Sequence, residues 1–133
     1  MADKVAFELV SPARLLFAGE VDMVVVPGSE GDFGVLPNHS PLISLVRPGV
    51  IAVHEGGKVG SRIFVAGGFA EVTPDRCTVL AEEAVNLADF DRAKAEARLT
   101  AARAKVAEAE TEADKAAAQR AVSIAEALLA AAA

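Results

Sequence analysis

Tryptophan and tyrosine are absent from this chain, and cysteine occurs once, at Cys77. The first absence removes the side chains that usually stack single-stranded bases or anchor small-molecule pockets. The second rules out an internal disulfide. With no charged-then-apolar stretch of the signal-peptide kind at the start, it points to a reducing, cytosolic setting. Basic charge is also scarce: 13 Lys and Arg stand against 19 Asp and Glu, a net charge of −6. Without a basic face to neutralise phosphates, nucleic acid is disfavoured as a partner. No apolar run approaches the roughly 20 residues that cross a bilayer, so any membrane association has to come through a partner.

What the chain does have is 133 residues, enough for one ordinary domain, or for a compact domain with an appendage. Up to about Ala88 it is written in strands. In "VAFELV" Val5, Phe7 and Leu9 alternate with Ala6 and Glu8, and in "EVDMVVV" Val21, Met23 and Val25 alternate in the same way, so that each run would bury one face. The six Phe are read as core filling, and Cys77, inside "RCTVL", as a small core residue. Turn signals recur about every ten residues, among them Ser11-Pro12, Pro27-Gly28, Pro48-Gly49, Gly56-Gly57 and Pro74-Asp75. This is the grammar of a sandwich or flattened barrel of short antiparallel strands, with hairpins at Gly56-Gly57 and Pro74-Asp75.

From Asp89 onward Gly and Pro vanish, alanine dominates and charges of both signs intersperse, which predicts helix. The chain thus divides into a β domain over 1–88 and a helical segment over 89–133. Asp89 is the expected N-cap, with Asp91 in the first turn. The composition allows one continuous helix, but Thr111 followed by Asp114 resembles a capping box where a second helix could start. That second helix carries one wide apolar arc through Ala117, Ala118, Ala121, Val122, Ile124, Ala125, Leu128 and Leu129. The first carries two stripes, Phe90-Ala93-Ala97-Ala101-Ala104 and Ala95-Leu99-Ala102-Val106, suited to two partners. Alanine stripes bury little area, so weak and mobile docking of the hairpin is expected.

The densest motif is "GSEGDFGVLPNHSPLI", residues 28–43. Its glycines fit neither a dinucleotide fingerprint nor a P-loop, and no Lys-Ser or Lys-Thr follows. Glu30, Asp32 and His39 have no recognised metal spacing. Ser29 or Ser40 with His39 lacks the strand-Ser-helix elbow of a hydrolase, so no catalytic residue and no metal ligand is assigned. Two readings stay open on the residues alone. One is a set of tight turns built by Gly and Pro; the other is an acidic tip, Glu30 with Asp32, that docks a basic protein partner.

The stretch "PGSEGDFGVLPNHSPLISLVRPG", together with "FELVSPARLLFAGEV", "FVAGGFAEVTPDRCTVLAEEA" and the Ala-rich helical ending, resembles the epsilon subunits of bacterial F-type ATP synthases (delta in mitochondria) over the whole chain. The resemblance implies an N-terminal antiparallel β-sandwich of about ten strands followed by a C-terminal two-helix antiparallel hairpin. It implies a non-catalytic rotor subunit that binds the gamma subunit of the central stalk and stands on the c-ring. Its place would be peripheral, at the cytoplasmic face of the bacterial inner membrane. By position, Ser29, Glu30, Gly31 and Asp32 match the loop that faces the c-ring, with Asp32 the favoured contact. His39 matches a histidine expected to support that loop or the gamma contact.

In some relatives ATP binds the hairpin as a regulatory ligand, through a motif to which Asp89, Arg92 and Ala93 correspond. Ala88 stands here where that motif has a larger aliphatic. The resemblance also implies contacts of the hairpin with the beta and alpha subunits. With only Lys115 and Arg120 on the last helix, any inhibition of hydrolysis would be weak. The alternative function is an ATP-sensing regulatory module acting mainly through the hairpin.

Overall fold

The computed structural model describes residues 4–132, and two units divide the chain, Met1–Ala88 and Asp89–Ala133. The first holds ten strands: β1 (Val5–Val10), β2 (Leu15–Val21), β3 (Met23–Gly28), β4 (Gly31–Val35), β5 (Leu42–Val46), β6 (Gly49–Glu55), β7 (Lys58–Val65), β8 (Gly68–Thr73), β9 (Arg76–Ala81) and β10 (Ala84–Asn86). Their order is β10-β7-β6-β3-β5-β8-β9-β1-β2, with β4 paired to β3 off that path. The inward faces meet in one core that includes Phe7, Leu9, Val24, Val26, Ile51, Val53, Val72 and Val79. Period-two alternation makes this possible, because every second side chain of a strand shares a face.

Both hairpins expected at turn residues are present: β6 pairs β7 across Gly56-Gly57, and β8 pairs β9 across Pro74-Asp75. Gly56 and Gly57 take φ of +62° and +80°, the left-handed region that makes such two-residue turns match strand twist. One ladder departs from the antiparallel expectation. β1 runs parallel to β9, with Phe7 opposite Cys77 and Leu9 opposite Val79, while its other edge pairs antiparallel with β2.

A second correction concerns "EVDMVVV". The run is two strands, not one, and Val24 and Val26 are buried where Met23 and Val25 had been expected to be. Asp22 breaks the phase: its backbone N–H donates to the His54 carbonyl at 3.0 Å, and its Oδ2 accepts from the Gly56 N–H at 2.7 Å. A one-residue slip at that bend flips every following side chain to the other face. Lys4 adds to the strap, 3.1 Å from Glu55 and 3.7 Å from Asp22. Its ammonium pKa is raised, first by the hydrogen bond to Glu55 and then by the charges of Glu55 and Asp22.

A 3-10 turn at Leu87–Asp89 spans the boundary between the units and leads to α1 (Arg92–Glu108) of the second, and α2 spans Glu112–Ala131. The N-cap of α1 is Asp91, not Asp89: its side chain accepts from the Lys94 N–H at 3.2 Å. Asp89 is spent in the preceding 3-10 turn, which starts the helix two residues later than composition suggests. Thr111 caps α2, accepting from the Asp114 N–H at 3.0 Å. The short connection at 109–111 returns the chain so that α1 packs on α2. Ala118, Ile124, Ala125 and Leu128 of α2 and Ala95 and Ala102 of α1 are buried. Within the hairpin, Ala95 and Ala102, both from the Ala95-Leu99-Ala102-Val106 stripe, are the buried residues of α1.

Candidate functional site

The acidic loop is the turn between β3 and β4. Gly28 and Gly31 face each other as the last pair of that ladder, leaving Ser29 and Glu30 at the apex. A Cβ on Gly28 would lie 2.8 Å from the Gly31 carbonyl oxygen and 2.9 Å from the Phe33 ring, so only glycine lets the hairpin close this tightly. Ser29, Glu30, Gly31 and Asp32 are all exposed. The root of the hairpin is tied to the end of β5: Gly28 bridges Val46, and the Ser29 N–H donates to the Leu45 carbonyl at 2.9 Å. Arg47 completes the tie. Its backbone N–H donates to the Pro27 carbonyl at 2.9 Å, Nη1 donates to the Gly28 carbonyl at 2.6 Å, and Nη2 donates to Asp32 Oδ1 at 2.5 Å. Asp32 is therefore engaged within the chain.

Beside this loop lies a surface that alternation alone did not reveal. Leu45 on β5 is opposite Phe69 on β8, Phe69 is opposite Leu80 on β9, and Leu80 is opposite Val10 on β1, which in turn pairs Leu15 on β2. Four of these side chains point into solvent, with Leu45 68%, Leu15 56%, Phe69 43% and Leu80 41% exposed. Ile43, one step along β5, is 72% exposed. Scattered apolar residues on a surface are ordinary, whereas an in-register row across five strands is a contiguous patch.

Two open clefts flank the row. One, of about 420 Å³, is shared by Glu30, Asp32 and Phe33 with Ile43 and Leu45, and so joins the acidic loop to the apolar row. The other, of about 560 Å³, lies among Val10, Pro12, Phe69 and Leu80. The reading of every Phe as core filling is corrected by Phe69. The signal that could have found this surface is the surplus of apolar residues on both faces of "LISLV" and "TVLA", which a strand with one wet face does not need.

The structure does not bring His39 to the acidic tip. It lies in the turn that follows β4, beyond the end of that strand remote from the acidic tip. Its Nδ1 pairs with the backbone carbonyl of Ser40 at 2.6 Å, and its N–H donates to the Leu36 carbonyl at 3.2 Å. The same turn is pinned to the β8–β9 hairpin by the Asn38 N–H and the Pro74 carbonyl, 2.6 Å apart. His39 thus braces its own turn, and its ring nitrogen meets a carbonyl where a hydrolase would have a serine hydroxyl.

Asp89 ends the 3-10 turn and Arg92 opens α1; both are exposed, and Arg92 pairs with Glu96 one turn on at 3.5 Å. Neither lines the clefts described above. Among the described residues, no group of His, Cys, Asp and Glu is placed to hold a metal ion. Cys77 is fully buried, and burial pushes its thiol up to about 12, which removes it as a nucleophile at neutral pH. Among the described residues, no helix is long and apolar enough to cross a membrane. An apolar patch continuous with an acidic loop can bind, and this geometry suits a protein partner.

Comparison with known proteins agrees with that chemistry. Residues 4–87 match the family described as the ATP synthase delta/epsilon chain, beta-sandwich domain. The ATP synthase epsilon chain of Rhodospirillum rubrum is 63% identical over 131 residues, 98% of each chain. That of Paramagnetospirillum magneticum is 57% identical over 131 residues, again 98% of each. Among solved structures, a chain of the Euglena gracilis mitochondrial ATP synthase, OSCP/F1/c-ring in rotational state 1, superposes with a TM-score of 0.82 at 28% identity, over 98% of this chain and 82% of that one. The chain belongs to the ATP synthase delta/epsilon family and is a subunit of that complex other than its catalytic one.

Proposed function

We propose that this chain is a rotor subunit of the central stalk of a proton-translocating ATP synthase, linking rotation of the c-ring to the gamma subunit. The observation that carries the reading is the continuity of two unlike surfaces on one rigid sandwich. An apolar row suits a permanent protein interface, and the exposed tip at Ser29, Glu30, Gly31 and Asp32 suits the basic polar loops of a ring. Torque has to pass through a body that does not deform, and a sheet closed over one core is such a body. The apolar row is assigned to gamma, the acidic loop to the c-ring, and His39 to support of the turn that frames the β5 end of the row. Membrane association, at the cytoplasmic face of the inner membrane, then comes through the complex.

The hairpin is assigned a regulatory role of small size, through the beta and alpha subunits. Lys115, one of the two basic residues of α2, sits 3.7 Å from Glu112, which reduces the charge it can offer an acidic partner. ATP as a regulatory ligand at Asp89 and Arg92 receives no support from geometry, because Arg92 is paired with Glu96 and Asp91 between them is committed to the cap. Titration with millimolar ATP, followed by amide NMR, is expected to leave Asp89 and Arg92 unshifted. Shifts at both would favour the ATP-sensing module instead. The rotor reading is tested by capture of gamma and of the c-ring with the full chain and with residues 1–88. Both are expected to bind both partners; a short chain that loses gamma overturns the assignment of the row.

A further inference from the structure

We infer that Arg47 decides which acid of the loop a basic partner meets: it holds Asp32 against the root of its own hairpin and leaves Glu30 as the charge on offer. This rests on the reading of the loop as the ring contact, and it reverses the ranking that residue type and position suggest.

The placement of Arg47 is over-determined. Pro48 follows it, and a Cβ on Gly49 at the start of β6 would lie 2.9 Å from the Pro27 Cβ, so the segment that carries Arg47 packs closely against the Pro27 side chain of β3. From that anchor the guanidinium spans both strands of the hairpin, bonding the Gly28 carbonyl on β3 and the Asp32 carboxylate on β4. A planar guanidinium has donors for both at once, which a lysine ammonium on a flexible stem does not hold in fixed geometry. The hairpin gains from such a brace, because its turn is exposed and Gly31, with φ of +131°, has no side chain to pack.

An exposed Arg–Asp pair contributes little to global stability, so its effect is on the loop. A basic side chain approaching Asp32 meets the Arg47 charge within the same few ångströms and is repelled by it. Glu30 sits at the apex, two residues away, and among the described residues its carboxylate takes part in no ion pair or side-chain hydrogen bond. Arg47 is therefore a positioning residue, and Glu30 is the contact it leaves exposed.

The test uses the full chain and the assembled synthase depleted of this subunit, with binding measured against salt, alongside hydrogen exchange of the free chain. Glu30→Gln is expected to weaken binding about fivefold and to flatten its salt dependence. Arg47→Gln and Asp32→Asn are each expected to speed exchange at Ser29 to Phe33, and the double variant to exchange no faster than either single one. Arg47→Gln, which frees a second acid, is expected to steepen the salt dependence, and Asp32→Asn to weaken binding less than Glu30→Gln does. Asp32→Asn flattening the salt dependence more than Glu30→Gln, with Arg47→Gln binding and exchanging as the native chain does, overturns the inference. Should the native chain fail to bind the depleted complex, the rotor reading fails. Exchange in the free chain still decides the brace, and an unchanged loop in Arg47→Gln sinks it.

Discussion

Leu45 and Phe69 stand directly opposite each other across the β5–β8 ladder and both point away from the core, 68% and 43% exposed. Cross-strand neighbours of this kind normally gain from burying one another, and the gain here is incomplete while the outer face is wet. A partner that covers them completes it.

The double variant Leu45→Ser/Phe69→Ser is accordingly expected to fold with a change of about 1 kcal/mol or less in urea unfolding, and to lose at least about tenfold in affinity for gamma. A large loss of stability with affinity unchanged would mean that the row belongs to the core of the free chain.

Gly31 and Gly68 share a φ of +131°, yet they differ in surroundings. A Cβ at Gly68 falls 1.9 Å from the Leu80 carbonyl oxygen, whereas a Cβ at Gly31 meets nothing within 4 Å. Gly31→Ala is expected to cost about 1 kcal/mol, from backbone strain alone, and Gly68→Ala about 3 kcal/mol or more, because the β8–β9 pairing must shift as well. Urea midpoints for the two variants give the comparison directly, and equal costs would contradict it.

Capping offers a similar pair. Asp91→Ala removes the acceptor of the Lys94 N–H and is expected to cost the hairpin about 1 kcal/mol, while Asp89→Ala is expected to stay within about 0.5 kcal/mol. Thermal loss of helical circular dichroism reads both.

Cys77 ties pH to stability. Its thiol is neutral in the fold up to about pH 12, against an ordinary value of 9.0 once unfolded, with burial as the cause. Between those values the unfolded chain has released a proton that the folded chain keeps, so stability falls as pH rises from about 9 to 12 and is unaffected below. Iodoacetamide at pH 8 is expected to leave the native chain unlabelled and to label it in urea. Rapid native labelling would contradict the burial.

How much of this was legible in the sequence depends on whether the cause was local. Gly56-Gly57, Pro74-Asp75 and Thr111 act on backbone within a few residues of themselves, and each appears where it was read. The parallel β1–β9 pair joins residues some seventy positions apart, and no period along either strand records its neighbour's direction. The phase change at Asp22 depends on bonds to His54 and Gly56, again remote in sequence. In the loop, the acids were visible by type, but the charge they present was not, because Arg47 lies 15 residues from Asp32. Phe69 was misread for the opposite reason: hydrophobicity alone does not say whether the surface that covers a side chain belongs to its own chain.

The parallel pair also sets an order in time. On a ribosome β1 emerges first, yet its place between β9 and β2 is half vacant until Arg76–Ala81 has been made. For most of its synthesis the sandwich carries an unpaired strand edge, with its full core assembled only near the end. A nascent chain stalled before β9 would be the form most exposed to edge-to-edge pairing, so the last strands of the sandwich protect the first.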